Sequence, residues 1–546
     1  MQSPTPRPFY WLLALALLLA LALRLPGWFT QDVKAKFQLF EPDEFQYVEM
    51  AIYQIQRMDS SRLADWDVAR YIYNARAFGV QLGLVGYVAG YDEAAQFVLA
   101  GRVLSTAYAL LLLLLVFRIA IYWLGDGGVA ALAALFLAIF DLNASYSHYA
   151  LPEIAHVFWA YLSVWLLARW YLSLAEGQAR HYRLWGGALA AALAFATKFD
   201  FLPLALGGLV CLLGGIRGYR FQVAGYKLQV AGFRLQVEGL ARHFLNNTRT
   251  LAWPVAVSFL LFILAFFAAT GFTFSPAQAL GSFRHLYDQN KDIVSGGNPW
   301  LFNPLLYLAA LTAGTSLPML VAAVAGKLRA MREQRGGPLV WIFLGFIILE
   351  FLALWSLDAT FVRRANIFLP FIAVLAAYGL MGIRKNMLRR LVIAAVGLYT
   401  LAIAWEGQSN AWWDTRYAAR EYLLGHYDGR RIEYSPYAMA IGMPKGVPLG
   451  ERGDILVAHE TYYSRYWKSL TTPFTIPKCC EEVYHCISVE DCERYQGLLS
   501  GQSPDYREVQ RFDSRAWLPE RKLYKQWFGT YETFLGDVII FERSRQ

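Results

Sequence analysis

The chain is 546 residues long; 57% of its residues are hydrophobic, 17% are charged, and the net charge is +9. Soluble proteins carry about a quarter charged residues, so this composition excludes an ordinary soluble fold and gives no reason to expect nucleic-acid binding. The apolar residues come in runs of about 17 to 25, which suit transmembrane helices and are too long for barrel strands. The sequence therefore predicts a polytopic α-helical membrane protein.

About eleven transmembrane helices are predicted within residues 1–406. The first apolar run lacks a small-residue cleavage site, so we predict an uncleaved helix and not a signal peptide. Three loops rich in Lys and Arg, at 217–250, 326–337 and 384–390, fall on one side of the membrane. The positive-inside rule makes that side the cytoplasm, which places the N-terminus inside and the tail outside a cell membrane. The predicted spans are about 10–27, 97–122, 127–142, 153–173, 184–198, 201–216, 251–270, 301–325, 339–357, 365–383 and 391–406.

The first outer loop, about residues 28–96, contains the stretch FQLFEPDEFQYVEMA with the adjacent acids Asp43 and Glu44. One interpretation is a helix start with Pro42 in its first turn, where the acids cap a solvated helix. The amphipathic helix that follows would lie at the membrane interface and would hold the acids at the mouth of the bundle. A carboxylate there can remove a proton from a hydroxyl or an amine. We therefore predict Asp43 and Glu44 as catalytic residues and Tyr47 as a substrate-binding residue.

A third acid, Glu153, opens a later span on the predicted outer side, in SHYALPEIAHVFWAYL. An acid at the end of a span is costly unless it faces a wet cavity or a partner, so Glu153 is also a predicted catalytic residue. His148 and Tyr149 precede it and are predicted to bind substrate. The alternative interpretation of His148 and His156 is that they form hydrogen bonds at the membrane interface.

A metal site is not predicted in this stretch. Glu153 and His156 form one Glu-x-x-His step, whereas di-iron bundles need two such steps and two further glutamates. The two histidines, His148 and His156, are too few and too far apart for a zinc site. We predict no cofactor, and the need for a divalent ion stays open.

Three cations lie near span ends on the same outer side. Lys198, in LAFATKFDFLPL, either pairs with Asp200 as a snorkelling lysine or binds a phosphate. Arg363 and Arg364 run against the positive-inside trend, and they either pair with Asp358 or form an anion site. We predict that Lys198, Arg363 and Arg364 bind a lipid phosphate.

A heptapeptide repeat, YRFQVAG, YKLQVAG and FRLQVEG at residues 219–239, lies in the basic loop 217–250. Its alternating residues predict short strand-turn units in a dispensable cytoplasmic insertion that rests on anionic headgroups. The tail, 407–546, is predicted to be an extracytoplasmic soluble α/β domain. Four clustered cysteines there fit an oxidising exterior, with three connectivities open and zinc as the weaker alternative: Cys479, Cys480, Cys486 and Cys492.

The order of these motifs resembles that of polytopic glycosyltransferases with the GT-C fold, especially the family 39 type. That type includes protein O-mannosyltransferases and the bacterial aminoarabinose transferase of lipid A. Its acid at the start of the later span is more often Asp than the Glu found here. The matching stretches are the PDE motif at 42–44, AGRVLSTAYALLLLLLVFRIA from residue 100, Pro152 and Glu153, Thr197 and Lys198, Arg364 before NIFLPFIAVLAAYGL, and WWDTRYAAREYL from residue 412.

The resemblance implies a GT-C-like membrane domain that takes a sugar from a polyprenyl-phosphate donor in the bilayer. The acceptor would be a protein, a lipid or another glycan outside the cytoplasm. Asp43 would be the base on the acceptor, and Glu153 would support the acceptor or sugar site. Lys198 and Arg364 would hold the lipid phosphate. Members of this type generally act without a bound metal, although some relatives with the same fold need one.

Two other functions stay open from the sequence. A transporter or flippase for a lipid-linked anion would also need outer cations and buried acids, but transporters often show two equivalent halves, which are not evident here. A non-catalytic subunit of a cell-envelope glycan assembly complex would use the tail to bind a partner. The tyrosine-rich stretch ETYYSRYW, at 460–467, would stack on a sugar or form domain core.

Overall fold

The chain is mostly helical up to residue 426, and a small sheet follows. The structure is a computed structural model that describes residues 8–28, 43–63, 77–175, 180–198, 200, 202–203, 205–206, 209, 233–270, 299–333, 337–355, 362–440, 442–448, 450–466, 489–529 and 535–544. Up to residue 412, the α-helices whose bounds are described are α1 (Pro8–Trp28), α2 (Asp43–Met58), α3 (Ala77–Ala89), α4 (Ala94–Leu124), α5 (Gly127–Ala138), α6 (Asp141–Ser147), α7 (Glu153–Ala175), α8 (His181–Lys198), α9 (Phe233–Thr270), α10 (Pro299–Thr315), α11 (Leu317–Arg332), α12 (Gly337–Trp355), α13 (Leu369–Met381) and α14 (Asn386–Trp412). A 3-10 helix, Val362–Phe368, leads into α13.

Several of these helices are long and apolar enough to cross a membrane. Within the described ranges five pass this test, and up to seven if each of two bent helix pairs is one span. The bends are 60° between α5 and α6 and 105° between α10 and α11. The multi-pass helical architecture thus agrees with the sequence, and the number eleven stays a prediction. The five are Ala94–Leu124, Glu153–Leu174, Ala252–Thr270, Val362–Met381 and Asn386–His426.

Small residues let neighbouring helices approach closely, as is common in membrane bundles. A Cβ atom at Gly326 of α11 would stand 1.9 Å from the Leu375 carbonyl oxygen of α13. A Cβ atom at Gly379 would stand 2.2 Å from the carbonyl oxygen of Ala322. The two helices therefore pack with their backbones in contact, which only glycine permits at these positions.

The first outer loop contains two helices. As expected from the acids at its start, α2 begins at Asp43, and its apolar residues Val48, Ile52 and Ile55 are buried in a cluster with residues of α3 and α4. The second helix, α3, was not predicted. It is apolar but only 13 residues long, too short for the span pattern sought in the sequence.

The third unit of the heptapeptide repeat is helical, so the predicted strand-turn form is wrong for it. Residues 233–239 are the first two turns of α9, and the two earlier units lie outside the described residues. A seven-residue period is close to two helical turns, so equivalent positions recur on one helix face. Alternation over only three residues is too short to favour a strand over this helical period.

The part of the chain after α14 contains a four-stranded mixed sheet in the order β1-β2-β4-β3. β1 is parallel to β2, whereas β4 is antiparallel to both β2 and β3. Cys479, Cys480 and Cys486 lie outside the described residues, so the predicted pairing of the four cysteines stays open. The elements are α15 (Thr415–His426), β1 (Ile432–Tyr434), β2 (Ile455–His459), α16 (Glu460–Tyr466), α17 (Val489–Leu499), β3 (Tyr506–Phe512), α18 (Pro519–Phe528) and β4 (Val538–Arg543).

Candidate active site

Arg363 joins two of the predicted catalytic acids. Its Nη1 atom lies 2.7 Å from Asp43 Oδ2, and its Nε atom lies 3.3 Å from Glu153 Oε1. Asp43 also accepts a hydrogen bond of 3.2 Å from Gln46. The Asp43 side chain is 30% exposed, whereas Glu153 is buried. One guanidinium thus ties an accessible carboxylate to a buried one.

Lys198 completes this cluster through Glu153. Its Nζ atom lies 2.5 Å from Glu153 Oε1. Glu153 is the first residue of α7, and Lys198 is the last residue of α8. An acid at a helix N-terminus and a base at a helix C-terminus are each stabilised by the helix dipole. Asp43 is likewise the first residue of α2, so helix ends supply three of the four charged side chains.

Arg364 lies beside this cluster and turns toward α10. Its side chain lies beside that of Tyr307, and its charge interacts with those of Arg363 and Glu153. Asp358, the alternative partner considered for the two arginines, lies outside the described residues. The structure therefore gathers Asp43, Glu153, Lys198, Arg363 and Arg364 in one place.

Glu44 is next to Asp43 in sequence but occupies a different environment. It is fully buried, and both its oxygens lie 2.7 Å from donors of Arg102. Oε1 also accepts the backbone N–H of Ala150 at 2.7 Å. A Cβ atom at Gly101 would stand 2.5 Å from Ala150 Cβ. Gly101 of α4 therefore lets the loop at Ala150 approach, and the next residue, Arg102, binds Glu44 of α2. These contacts favour a positioning role for Glu44 over the catalytic role expected from sequence.

The remaining predicted substrate-binding residues are buried. Tyr47 packs edge-on against Phe78, with ring centroids 5.6 Å apart. The rings of His148 and Tyr149 meet edge to face at 4.3 Å in the loop between α6 and α7. A substrate could contact one of these three side chains only after a conformational change that exposes that side chain.

A second polar cluster lies one helical turn along α7 from Glu153. His156 Nε2 is 2.9 Å from Asp200 Oδ2, so Asp200 pairs with this histidine while Lys198 pairs with Glu153. The Glu350 carboxyl group of α12 lies close to that of Asp200 and interacts with it electrostatically. Glu350 was missed in the sequence, although a single acid in the apolar run GFIILEFLALW is the kind of signal that marks a buried polar contact.

A buried arginine that sequence reasoning also missed supports the loop before Glu153. Arg24 of α1 donates to Asn143 Oδ1 and Ser147 Oγ of α6, both at 2.5 Å. Ser105 donates to the Leu151 carbonyl oxygen at 2.9 Å. Together with the Glu44–Ala150 bond, these contacts fix the segment that leads into α7. Among the residues that the structure describes, no group of three His, Cys, Asp or Glu side chains is placed to hold a metal ion.

Comparison with known proteins gives structural likenesses only. No protein-family model and no curated protein matches the chain. The oligosaccharyltransferase AglB of Archaeoglobus fulgidus, in complex with an inhibitory peptide and a dolichol-phosphate, is similar at a TM-score of 0.49 and 12% identity, over 98% of this chain and 88% of that one. ArnT of Cupriavidus metallidurans, bound to undecaprenyl phosphate, is similar at 0.47 and 15%, over 85% and 96%. At such low values these likenesses carry no argument about the function of this chain.

Proposed function

We propose that the chain is a membrane glycosyltransferase that moves a sugar from a polyprenyl-phosphate donor to an acceptor outside the cytoplasm. The observation that carries this proposal is the Asp43–Arg363–Glu153–Lys198 cluster. It contains two acids and two cations, and each side chain lies within 3.3 Å of the next one in that order. Ion pairs that serve stability alone rarely concentrate at the ends of several helices of a membrane bundle, where charge is costly.

Asp43 is the general base of the proposed reaction. It is the most exposed acid of the cluster, so an incoming hydroxyl or amine can reach it. The acceptor oxygen or nitrogen attacks the anomeric carbon while Asp43 takes its proton, and the bond to the lipid phosphate breaks in the same step. This direct displacement inverts the configuration at the anomeric carbon. Glu153 fixes Arg363 and Lys198 and supports the acceptor or sugar.

The cations stabilise the departing phosphate. Lys198, Arg363 and Arg364 together carry three positive charges against the two carboxylates Asp43 and Glu153, which leaves one positive charge for an anion. Preformed donors of this kind favour the charge that develops on a leaving phosphate. A guanidinium also offers a planar pair of donors that suits phosphate oxygens. The proposed partners are therefore a polyprenyl-phosphate-linked sugar, the bilayer and an acceptor.

The test is turnover of a radiolabelled polyprenyl-phosphate sugar by the full-length protein in nanodiscs, with release of free polyprenyl phosphate as the readout. The Asp43→Asn substitution should lower the rate by about 10²- to 10⁴-fold, the usual contribution of a general base. Asp59→Asn is the matched control, because Asp59 lies just beyond the other end of α2 and bonds Ser61. Full turnover by Asp43→Asn would overturn the assignment. Movement of label across the membrane without cleavage would identify a transporter instead.

A further inference from the structure

The segment that leads into α18 runs along α14 in the opposite direction. The Asn410 amide donates to the Arg515 carbonyl oxygen at 3.0 Å and accepts the Arg515 N–H at 2.8 Å. Glu406, about one turn further down α14, accepts the N–H groups of Trp517 and Leu518 at 2.5 and 3.1 Å. This C-terminal segment therefore packs directly against the bundle, along α14.

The start of α18 reaches the middle of α14. Glu520 accepts a hydrogen bond of 2.6 Å from the Tyr399 hydroxyl and one of 3.3 Å from the Leu317 N–H. Tyr399 is the central residue of α14 (Asn386–Trp412), about 20 Å from either end at 1.5 Å per residue. The hydrocarbon core is about 30 Å thick. α14 belongs to the candidate span Asn386–His426, so the start of α18 packs beside a helix that is long enough to cross that core.

One face of α18 is buried. On this face Arg521 pairs with Asp141 of α6, and Tyr524 is buried beside it. The exposed face mixes apolar and polar side chains, namely Leu523 at 48% and Trp527 at 37% exposure, Lys522 and Gln526. Such a mixture is typical of an amphipathic helix at the membrane–water interface, where a lysine extends its amine toward the headgroups.

Two tryptophans continue this exposed surface toward the outer end of α14. The Arg515 guanidinium lies 4.1 Å from the ring centroid of Trp413 and 5.6 Å from that of Trp517. Trp413 is 57% exposed and Trp517 is 73% exposed. Tryptophan concentrates at membrane–water interfaces, where its ring is apolar and its N–H is polar. Arginine between two such rings places a cation at headgroup level.

α14 itself presents an apolar stripe that is continuous with this surface. Four exposed residues recur every seven positions along it, which is close to two helical turns and keeps them on one face. They are Leu391, Leu398, Trp405 and Trp412.

We propose that α18 and the Trp413–Arg515–Trp517 stack are embedded in the outer leaflet and bind phospholipid. Acyl chains pack against Leu523 and Trp527, and a headgroup phosphate lies beside Arg515. The occupant is lipid and not a protein partner, because the patch continues the exposed apolar stripe of a candidate span, and a bilayer covers such a stripe along its whole length. The C-terminal domain is then anchored in the membrane as well as attached to it by the chain.

The experiment uses the photoreactive residue benzoylphenylalanine in place of Leu523 in the full-length protein. Nanodiscs contain phosphatidylethanolamine and phosphatidylglycerol with radiolabelled acyl chains. Leu398 is the positive control on α14, and Arg507 of β3, whose side chain is 71% exposed, is the control away from the patch. Because all three sites are exposed, the replacement leaves the core intact.

We expect lipid adducts at Leu523 at a level close to that at Leu398 and at least about tenfold above that at Arg507, since only a side chain in the hydrocarbon layer meets acyl chains. Labelling at Leu523 no higher than at Arg507, with Leu398 labelled, would overturn the proposal. Cross-links from Leu523 to a second copy of the chain in place of lipid would overturn it as well.

Discussion

Arg521 of α18, in the part of the chain that contains the sheet, forms a buried ion pair with Asp141 of α6. Gln408 of α14 supports it by donating to Asp141 Oδ1 at 3.1 Å. Space for the carboxylate exists because residue 407 is glycine; a Cβ atom there would stand 2.2 Å from Asp141 Oδ1. Asp141 begins α6, and α6 leads into the loop that ends at Glu153. The C-terminal domain is thus coupled to the segment that places a candidate site residue.

Replacing Arg521 with Met should destabilise the protein by about 3–5 kcal/mol, because Asp141 would remain buried without its cation. Thermal unfolding in detergent measures the effect as a lower melting temperature. The double variant Asp141→Asn, Arg521→Met removes both charges and should regain most of the stability. A single variant as stable as the native protein would show that the pair does not hold the domain to the bundle.

Glu44 and Asp43 should respond differently to loss of charge, because Glu44 is buried on Arg102 whereas Asp43 is accessible. Glu44→Gln is expected to cost about 3–5 kcal/mol of stability by leaving Arg102 unpaired, and to leave the pH dependence of the remaining turnover unchanged. Asp43→Asn is expected to lower turnover by about 10²- to 10⁴-fold with little change in stability. Melting temperature and kcat, measured on the same preparations, separate the two. A fully stable but inactive Glu44→Gln variant would instead indicate that Glu44 is the general base.

Arg363→Lys keeps the positive charge but loses the link between Asp43 and Glu153, since an ammonium is a single point of charge and a guanidinium is a planar fork. We expect kcat/KM for the lipid-linked sugar to fall about 10- to 100-fold, which is about 1.4–2.7 kcal/mol of transition-state stabilisation. Arg329→Lys is a suitable control, because Arg329 pairs with Glu333 in a predicted cytoplasmic loop. Equal activity of Arg363→Lys and the native protein would remove Arg363 from the mechanism.

His459 should make the C-terminal domain sensitive to acid. Burial, together with the nearby Arg416 guanidinium, holds the pKa of the His459 imidazole well below its usual value of about 6.5. The unfolded chain therefore binds a proton below about pH 6.5 that the folded chain does not, and stability falls as the pH drops, by up to about 1.4 kcal/mol per pH unit. Above that pH the contribution is constant.

The measurement is the melting temperature between pH 8 and pH 5 for the native protein and His459→Asn. Asparagine retains an acceptor for the Thr461 N–H, which His459 Nδ1 receives at 3.1 Å, but has no proton to gain. The slope below pH 6.5 should be shallower in the variant. Equal slopes would assign the acid sensitivity to other groups.

From the sequence we could predict on which face of the membrane the charged residues of the site lie, but not which of them form ion pairs. Span alternation and the basic loops place Asp43, Glu153, Lys198 and Arg363 at one face of the membrane, because only the order of spans is needed for that. The pairing of Lys198 with Glu153, and not with its near neighbour Asp200, depends on how α7 packs on α8. No pattern within either helix contains that information.

Buried single charges were the main omission. Arg24, Asp141 and Glu350 each stand in or beside an apolar run, where a charge signals a partner without saying which. The partner of Asp141 lies 380 residues away in the chain, a separation at which sequence spacing is uninformative. The position of α18 was missed for a related reason: its packing against α14 depends on contacts with residues more than 100 positions away in the chain.

Asp43 and Glu153 are the first residues of α2 and α7, so the rotation of each helix about its axis determines where its carboxylate points. Adding one residue directly after Glu153 within α7 would turn its carboxylate by about 100° around the helix axis relative to the rest of α7, away from both Arg363 and Lys198. The third heptapeptide begins α9, at an end that the sequence predicts to be cytoplasmic and that holds none of the candidate site residues. Changes in chain length should therefore be harmless there and damaging at the outer helix termini, even where every charged side chain is retained.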